Sequence, residues 1–376
     1  MSNSTRIRYK VPFVDFPSHY RAMEKEYHQT IHRVLSKGNL LLREELEEFE
    51  RTFASFIGVK YGIGVNSGFD SLHLSLRALG FKPEDEVVTV SHTCIATVSA
   101  VVNAGATPVF VDIREDFNMD PDKLEEAITP RTKAIVPVHL NGRSCDMERI
   151  MSIAKEHNLS VVEDAAQAIG AKFNGKMVGS FGLTGCFSFY PFKMLGALGD
   201  GGMVVTNDEE LARKISALRD YGWERRGKAR DVRYFGFNAR LDNLQAAVLS
   251  MKFAYLPRWI ERRQEIAKRY TEGLSDLSEL KLPNFPDERY FDVYMNYVIR
   301  LARRDDLVSY LEKNGIEVLI SLSKSVHHYK TLGFGDLHLP ETDKASKELI
   351  CLPTRPELSD QQVDYVIKCI RDFHRR

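Results

Sequence analysis

Apolar positions recur at helical spacing over 20–36 and 43–56, so the chain opens with two amphipathic helices. From residue 61 the rhythm changes. Short β-branched runs at 61–66, 86–91, 108–112, 133–138 and 159–164 read as strands. Helical stretches at 70–79, 94–103, 121–128 and 147–157 lie between them. Strand and helix in alternation predict an α/β domain built on a large, mostly parallel central sheet. Strands at 185–190 and 202–206 and a helix at 208–221 extend it. Near residue 250 the character shifts. A charged helix over 242–270 leads to strands at 294–301 and 317–321 and helices at 305–314 and 360–375, which read as a smaller C-terminal α/β domain. The expected division is 1–250, with its N-terminal arm, and 251–376.

Composition narrows the partners. Lys+Arg and Asp+Glu are both 52, so the chain has no net charge to favour nucleic acid or an anionic membrane surface. No apolar stretch has the length of a bilayer span. The segment MSNSTRIRYKVPF carries no apolar run after its basic residues, unlike a secretory leader. Five scattered cysteines without a CxxC pair read as reduced thiols rather than disulfides or a zinc site. The expectation is a cytoplasmic protein with no metal ligands.

Candidate chemistry lies after the strands, where open α/β sheets bind ligands. Asn66-Ser67-Gly68-Phe69-Asp70 puts small residues before a helix, whose N–H groups suit a phosphate; a routine Ser N-cap explains it as well. Glu163-Asp164-Ala165-Ala166-Gln167 ends a buried strand on acids. Asp164 there suits a protonated pyridine nitrogen, and equally a helix cap. Phe187-Ser188-Phe189-Tyr190-Pro191-Phe192-Lys193 then leads into the glycine-rich 196–202. A partly desolvated lysine in that place can act as an amine nucleophile, although most loop lysines are solvated surface groups.

Together these segments resemble the fold-type I pyridoxal 5'-phosphate (PLP) enzymes, and within them the sugar aminotransferases of the DegT/DnrJ/StrS group. Val65–Gly68, Pro137–Gly142, Val162–Ala168, Cys186–Lys193, Leu195–Gly202, Asn238–Leu241, Leu352-Pro353 and Pro356–Ser359 carry the likeness, from about Pro12 to the end. The resemblance implies that Lys193 holds PLP as a Schiff base and that Asp164 pairs with its pyridinium nitrogen. It places Gln167 near the ring's phenolic oxygen, and Ser188 with the Gly68–Phe69 backbone on the phosphate. His92 takes the position that stacks on the ring. Asn238 reaches the phosphate in a neighbouring subunit, which implies a homodimer with active sites at its interface. His327 and His328 stand where a substrate diphosphate contact is expected, against the plain alternative of a solvated pair; His139 reads as structural.

Departures from the group are Phe69 for a common Thr, and Phe192 and Met194 for Thr and Asn. The 293–297 and 321–329 segments are also atypical. The implied reaction moves an amino group from L-glutamate or L-glutamine to a dTDP- or UDP-linked keto sugar, at C3 on the strength of Ser91–Thr97. C4 amination and a scyllo-inosose-type cyclitol acceptor stay open, as does a non-catalytic regulatory protein on the same fold. A histidine in place of Lys193 would mark a dehydratase, and GxGxxG after the first strand an NAD enzyme; neither is present.

Overall fold

The computed structural model describes residues 9–375 except 227–228, 284, 286 and 336. Its centre is a seven-stranded sheet. In chain order the strands are β1 (Tyr61–Val65), β2 (Glu86–Val90), β3 (Thr107–Val111), β4 (Thr132–Ile135), β5 (Ser160–Asp164), β6 (Thr184–Ser188) and β7 (Gly202–Thr206). Across the sheet the order is β1-β7-β6-β5-β4-β2-β3. β7 runs antiparallel to both neighbours; the remaining pairs are parallel. The largely parallel α/β sheet read from the sequence is present.

The longer helices are α1 (Glu24–Lys37), α2 (Glu44–Ile57), α3 (Gly68–Leu79), α4 (Ile95–Asn103), α5 (Met147–Glu156), α6 (Glu209–Leu218), α7 (Asn243–Phe253), α8 (Leu256–Leu274), α9 (Arg304–Lys313), α10 (Pro340–Glu348) and α11 (Asp360–His374). Side chains alternate across a pleated strand, so each strand feeds two cores. Val87, Ala134, Val162 and Cys186 pack toward Leu72 and Leu76 of α3 and Val101 of α4. Val88, Ile135 and Val161 pack the other way, against Ile150 and Ile153 of α5. Phe187 and Met203 join Phe49 and Phe53 of α2 and Leu249 of α7. A sheet buried on both faces leaves one open place for a ligand, the rim of its carboxyl ends.

Three expected elements differ. The helix over 242–270 is two helices, with Ala254-Tyr255 between them and Pro257 in the first turn of α8, where its fixed φ is favourable. The first packs on α1 and α2, the second on α11. The stretch 121–128 shrinks to a single turn, Pro121–Leu124, and a 3-10 segment. The strand at 317–321 reduces to an isolated bridge, Leu319 to Cys351. The true neighbours are β8 (Tyr297–Arg300) and β9 (Leu349–Leu352), antiparallel. β9 was missed because Leu-Ile-Cys-Leu has no polar alternation: Ile350 and Leu352 face a C-terminal core with Tyr297 and Ile299, while Leu349 and Cys351 face the sheet-side core with Val298.

Candidate active site

The ends of β2, β5 and β6 meet α3 and α4 at the sheet rim. α3 begins just after β1: Ser67 has extended backbone and its Oγ accepts the Asp70 N–H at 3.1 Å. That leaves the first helical N–H groups, on Gly68 and Phe69, without intrahelical partners. The turn is held tightly. A Cβ on Gly68 would meet Ser188 Cβ at 2.6 Å, and one on Gly202 would meet Ser67 O at 2.2 Å. Gly202 is therefore required for close approach of β7 to the turn. Ser188 closes the third side, its Oγ accepting the Tyr190 N–H at 3.3 Å. Phe69, at the departure from Thr, stacks on His73 with ring centroids 5.5 Å apart.

Lys193 sits on a reverse turn, its N–H bonded to Tyr190 O at 2.9 Å. Phe189, Leu195 and Ala197 anchor both flanks of that turn in the core under the sheet. Met194 packs there too, whereas the Phe192 and Tyr190 rings remain half exposed, 5.4 Å apart. Lys193 lines a cleft of about 590 Å³ together with Gln167, Trp259, Lys252 and Arg263. Burial holds its ammonium below the usual lysine range, against the pull of Asp164 and Cys94.

Asp164 is buried at the end of β5, and among the described residues its carboxylate takes two hydrogen bonds. Thr97 Oγ1 donates to Oδ2 at 2.7 Å and the Ala166 N–H to Oδ1 at 3.1 Å. Burial raises its carboxyl above the ordinary range, while Thr97, Ala166, Lys193 and His139 each pull it down. Gln167 Oε1 accepts the Asn141 N–H at 3.0 Å, which aims the side chain. Asn141 itself adopts φ +58°, a conformation Asn tolerates.

His92 departs from its expected place. Its ring is 1% exposed, stacks on Phe117 at 5.7 Å and shares a 3.3 Å contact with Ser325 Oγ. Burial pushes the imidazole down to about 3. A ring so enclosed has no free face for a cofactor to lie on, so the stacking role is not supported. The side chain that opens outward at this strand end is Cys94, the exposed N-cap residue of α4. His327 and His328 also lie outside the Lys193 cleft: His327 is buried and bonded to Ser91 and Asp343. Asn238 is exposed and likewise outside the cleft. His139 is structural: its Nδ1 accepts the Cys145 N–H, so Nε2–H donates to Glu163 at 3.0 Å.

Four relevant residues escaped the sequence reading: Thr97, Lys252, Arg263 and Arg355. Thr97 was findable, because it lies one turn into the helix that follows a strand. The others were not, since they come to the cleft from α7, α8 and the segment after β9, all far from Lys193 in the chain.

These residues fit PLP. Asp164 is a buried carboxylate with no cation in salt-bridge contact among the described residues, as a pyridinium partner requires. A helix N-terminus with unpartnered N–H groups and a desolvated lysine stand at the same rim. The DegT/DnrJ/EryC1/StrS aminotransferase family matches residues 21–371. The chain belongs to this family. A relative 42% identical over 372 residues, covering 98% of this chain and 97% of its own, is the dTDP-3-amino-3,4,6-trideoxy-alpha-D-glucose transaminase of Streptomyces venezuelae. Another, 42% identical over 374 residues and covering 97% and 99%, is a pleiotropic regulatory protein of Geobacillus stearothermophilus. Among solved structures, NtdA of Bacillus subtilis with bound cofactor PMP superposes with a TM-score of 0.92 at 32% identity, covering 100% of this chain and 87% of that one. The protein is a PLP-dependent aminotransferase, and among its described residues no helix is long and apolar enough to cross a membrane.

Proposed function

We propose that the chain transfers an amino group from L-glutamate or L-glutamine to C3 of a keto sugar linked to dTDP or UDP, in amino-sugar biosynthesis in the cytoplasm. The observation that carries the chemistry is Asp164, buried and short of partners, at the rim that also holds Lys193. The sugar is supported by the transaminase from Streptomyces venezuelae. C4 sugars and cyclitols are the alternative acceptors.

Bound at this rim, PLP supplies an electron sink for charge developing at the α-carbon of the amino donor. The residues handle protons and charge. Lys193 Nζ, less basic than a solvated lysine, takes the proton from that carbon and later returns one, acting as base and then acid. Asp164 would hold the ring's protonated nitrogen, Gly68 and Phe69 would offer N–H groups to its phosphate, and Gln167 would stand near its phenolic oxygen. Lys252 and Arg263 suit the anionic parts of both substrates. Neither has a carboxylate in salt-bridge contact among the described residues, and Arg263 Nε is buried without a partner. The same site serves the keto sugar in reverse, which predicts ping-pong kinetics.

The working unit in this reading is a homodimer in which Asn238 reaches the partner's phosphate site. The chain divides near residue 250, where α7 gives way to α8.

The test is the visible spectrum of the purified protein. Wild type should be yellow and bleach with L-glutamate; Lys193→Ala should not respond, with transamination down about 10⁴-fold. A panel of dTDP- and UDP-linked 3-keto and 4-keto sugars then assigns the acceptor. A colourless wild type that takes up no added PLP would instead favour a regulatory role, as the name of the Geobacillus stearothermophilus relative suggests for that protein.

A further inference from the structure

A second cluster of chemistry lies away from the cleft. The 3-10 turn Val326–His328 and the first turn of α10 bring two imidazoles onto one carboxylate. His327 Nε2 is 3.1 Å and His328 Nε2 2.9 Å from Asp343 Oδ1. One ligand atom from each of the three residues lies within 4.8 Å of the others. A tetrahedral zinc ion, with bonds of about 2.0–2.2 Å to nitrogen and oxygen, holds its ligand atoms roughly 3.3–3.5 Å apart. The two histidine–carboxylate separations fall a few tenths of an ångström short, which side-chain rotation supplies.

The surroundings suit a ligand set. Ser91 Oγ lies 2.6 Å from His327 Nδ1 and accepts the His327 backbone N–H at 3.0 Å. Ligating histidines are oriented through their second nitrogen in this way. With Nδ1–H given to Ser91, the Nε2 lone pair faces His328 and Asp343. The inner wall is dry and the outer wall wet: side-chain exposures are 2% for His327, 24% for Asp343 and 37% for His328. His338 Nδ1 stands 3.8 Å from Asp343 Oδ2 on the exposed side. Without an ion, two neutral rings that both donate Nε2–H to Asp343 leave His327 Nδ1 as an acceptor, with Ser91 the donor.

We propose that His327, His328 and Asp343 bind a divalent cation of the zinc type, with water in the fourth position. The ion fastens the 326–328 turn to Ser91, next to His92 just beyond β2. This site is independent of the transaminase reading, and its readout is metal content.

Holoenzyme dialysed against EDTA is titrated with ZnCl₂ by calorimetry, and bound metal is counted by mass spectrometry. The expected result is one zinc per chain, with affinity weakened at least about 100-fold in His328→Ala and in Asp343→Asn. Loss of the orienting hydroxyl in Ser91→Ala should weaken it by about 10–100-fold. Cys94→Ser, a control for the exposed thiol, should keep the ion. Co²⁺ in its place should give the visible bands of a four-coordinate N/O site. Wild type that retains no zinc, or zinc retained equally by His328→Ala and Asp343→Asn, would overturn the proposal and leave a hydrogen-bonded clamp. Wild-type stoichiometry answers the question even if a variant fails to fold.

Discussion

Glu163 and Asp164 are consecutive acids on one strand, both buried, and they face opposite ways. The Glu163 carboxylate is saturated. It accepts the Phe181 and Gly182 N–H groups on one oxygen, each at 2.7 Å, and the Gly179 N–H and His139 Nε2–H on the other, at 2.7 and 3.0 Å. Asp164 accepts two hydrogen bonds and is raised by burial. The saturated acid has no capacity left for a ligand and ties β5 to the 179–182 turn. The unsaturated one has capacity left over, at the rim beside Lys193. Buried charge that the fold satisfies is structure; buried charge that it leaves short is available for chemistry.

Exchanging the two roles is the strongest way to break this contrast. Asp164→Asn keeps shape, since the amide oxygen can accept from Ala166 and the amide N–H₂ can donate to Thr97. It removes only the charge. Transamination should fall about 10²–10³-fold, as when one electrostatic stabiliser is lost. Stability of the cofactor-free protein should not fall. The carboxyl is raised in the folded state, so its ionised form there opposes folding at neutral pH and the variant relieves that cost. Thermal melting beside single-turnover kinetics checks both; a large drop in melting temperature would mean that Asp164 is structural after all.

Glu163→Ala should do the reverse. It strands four buried donors and should cost about 3–5 kcal/mol. The protein that remains folded, measured below its melting range, should keep its turnover within a few-fold. Denaturant unfolding and active-site counting would separate the two effects, and a turnover loss in fully folded protein would place Glu163 in the chemistry.

How far the sequence revealed this contrast depends on how each residue is held. The parallel sheet was legible because its strands are β-branched runs between helices. Asp164 and Lys193 stood out in the sequence because each follows a strand, and the family resemblance alone supplied the roles proposed for them. Glu163 and Asp164 could not be told apart, because what separates them is three N–H groups from residues 179–182. His92 misled for the same reason. Its position beyond β2 was read correctly, but Phe117 and Ser325, distant in sequence, turn the ring inward. β9 was invisible because its two faces meet two cores and it shows no alternation.

Lys252 sharpens the comparison, since it is a buried cation that the fold also leaves short. It donates to Gly196 O, lies over Trp259, and burial lowers it to about 8. A base lowered in the folded state opposes folding below that pH, and the cost fades as pH rises from about 8 toward the unfolded value near 10.5. The full cost is roughly 3 kcal/mol. Lys252→Met should therefore stabilise the cofactor-free protein near pH 7, and its advantage should shrink between pH 8 and 10. Parallel melting curves across that range would show that Lys252 finds compensation elsewhere. Weakened binding of the amino donor in the same variant would show that the cost is kept for a substrate anion.

The smallest expected effect tests how far Asp164 is tuned rather than merely placed. Thr97 Oγ1 donates to Asp164 and lies 2.9 Å from Thr93 Oγ1, so Thr93 donates in turn and the two hydroxyls form a chain ending on the carboxylate. That chain favours the ionised form. Thr97→Val preserves volume and removes the terminal bond, worth about 1.5 kcal/mol to a charged acceptor. The Asp164 carboxyl should then rise further above the ordinary carboxylate range. A protonated Asp164 no longer attracts a ring cation, so PLP affinity, which weakens as pH falls through this group, should begin to weaken at a higher pH than in wild type. At higher pH the affinity should be nearly that of wild type. A uniform loss of affinity across pH, with no shift of the acid limb, would reduce Thr97 to packing and leave burial alone to set the state of Asp164.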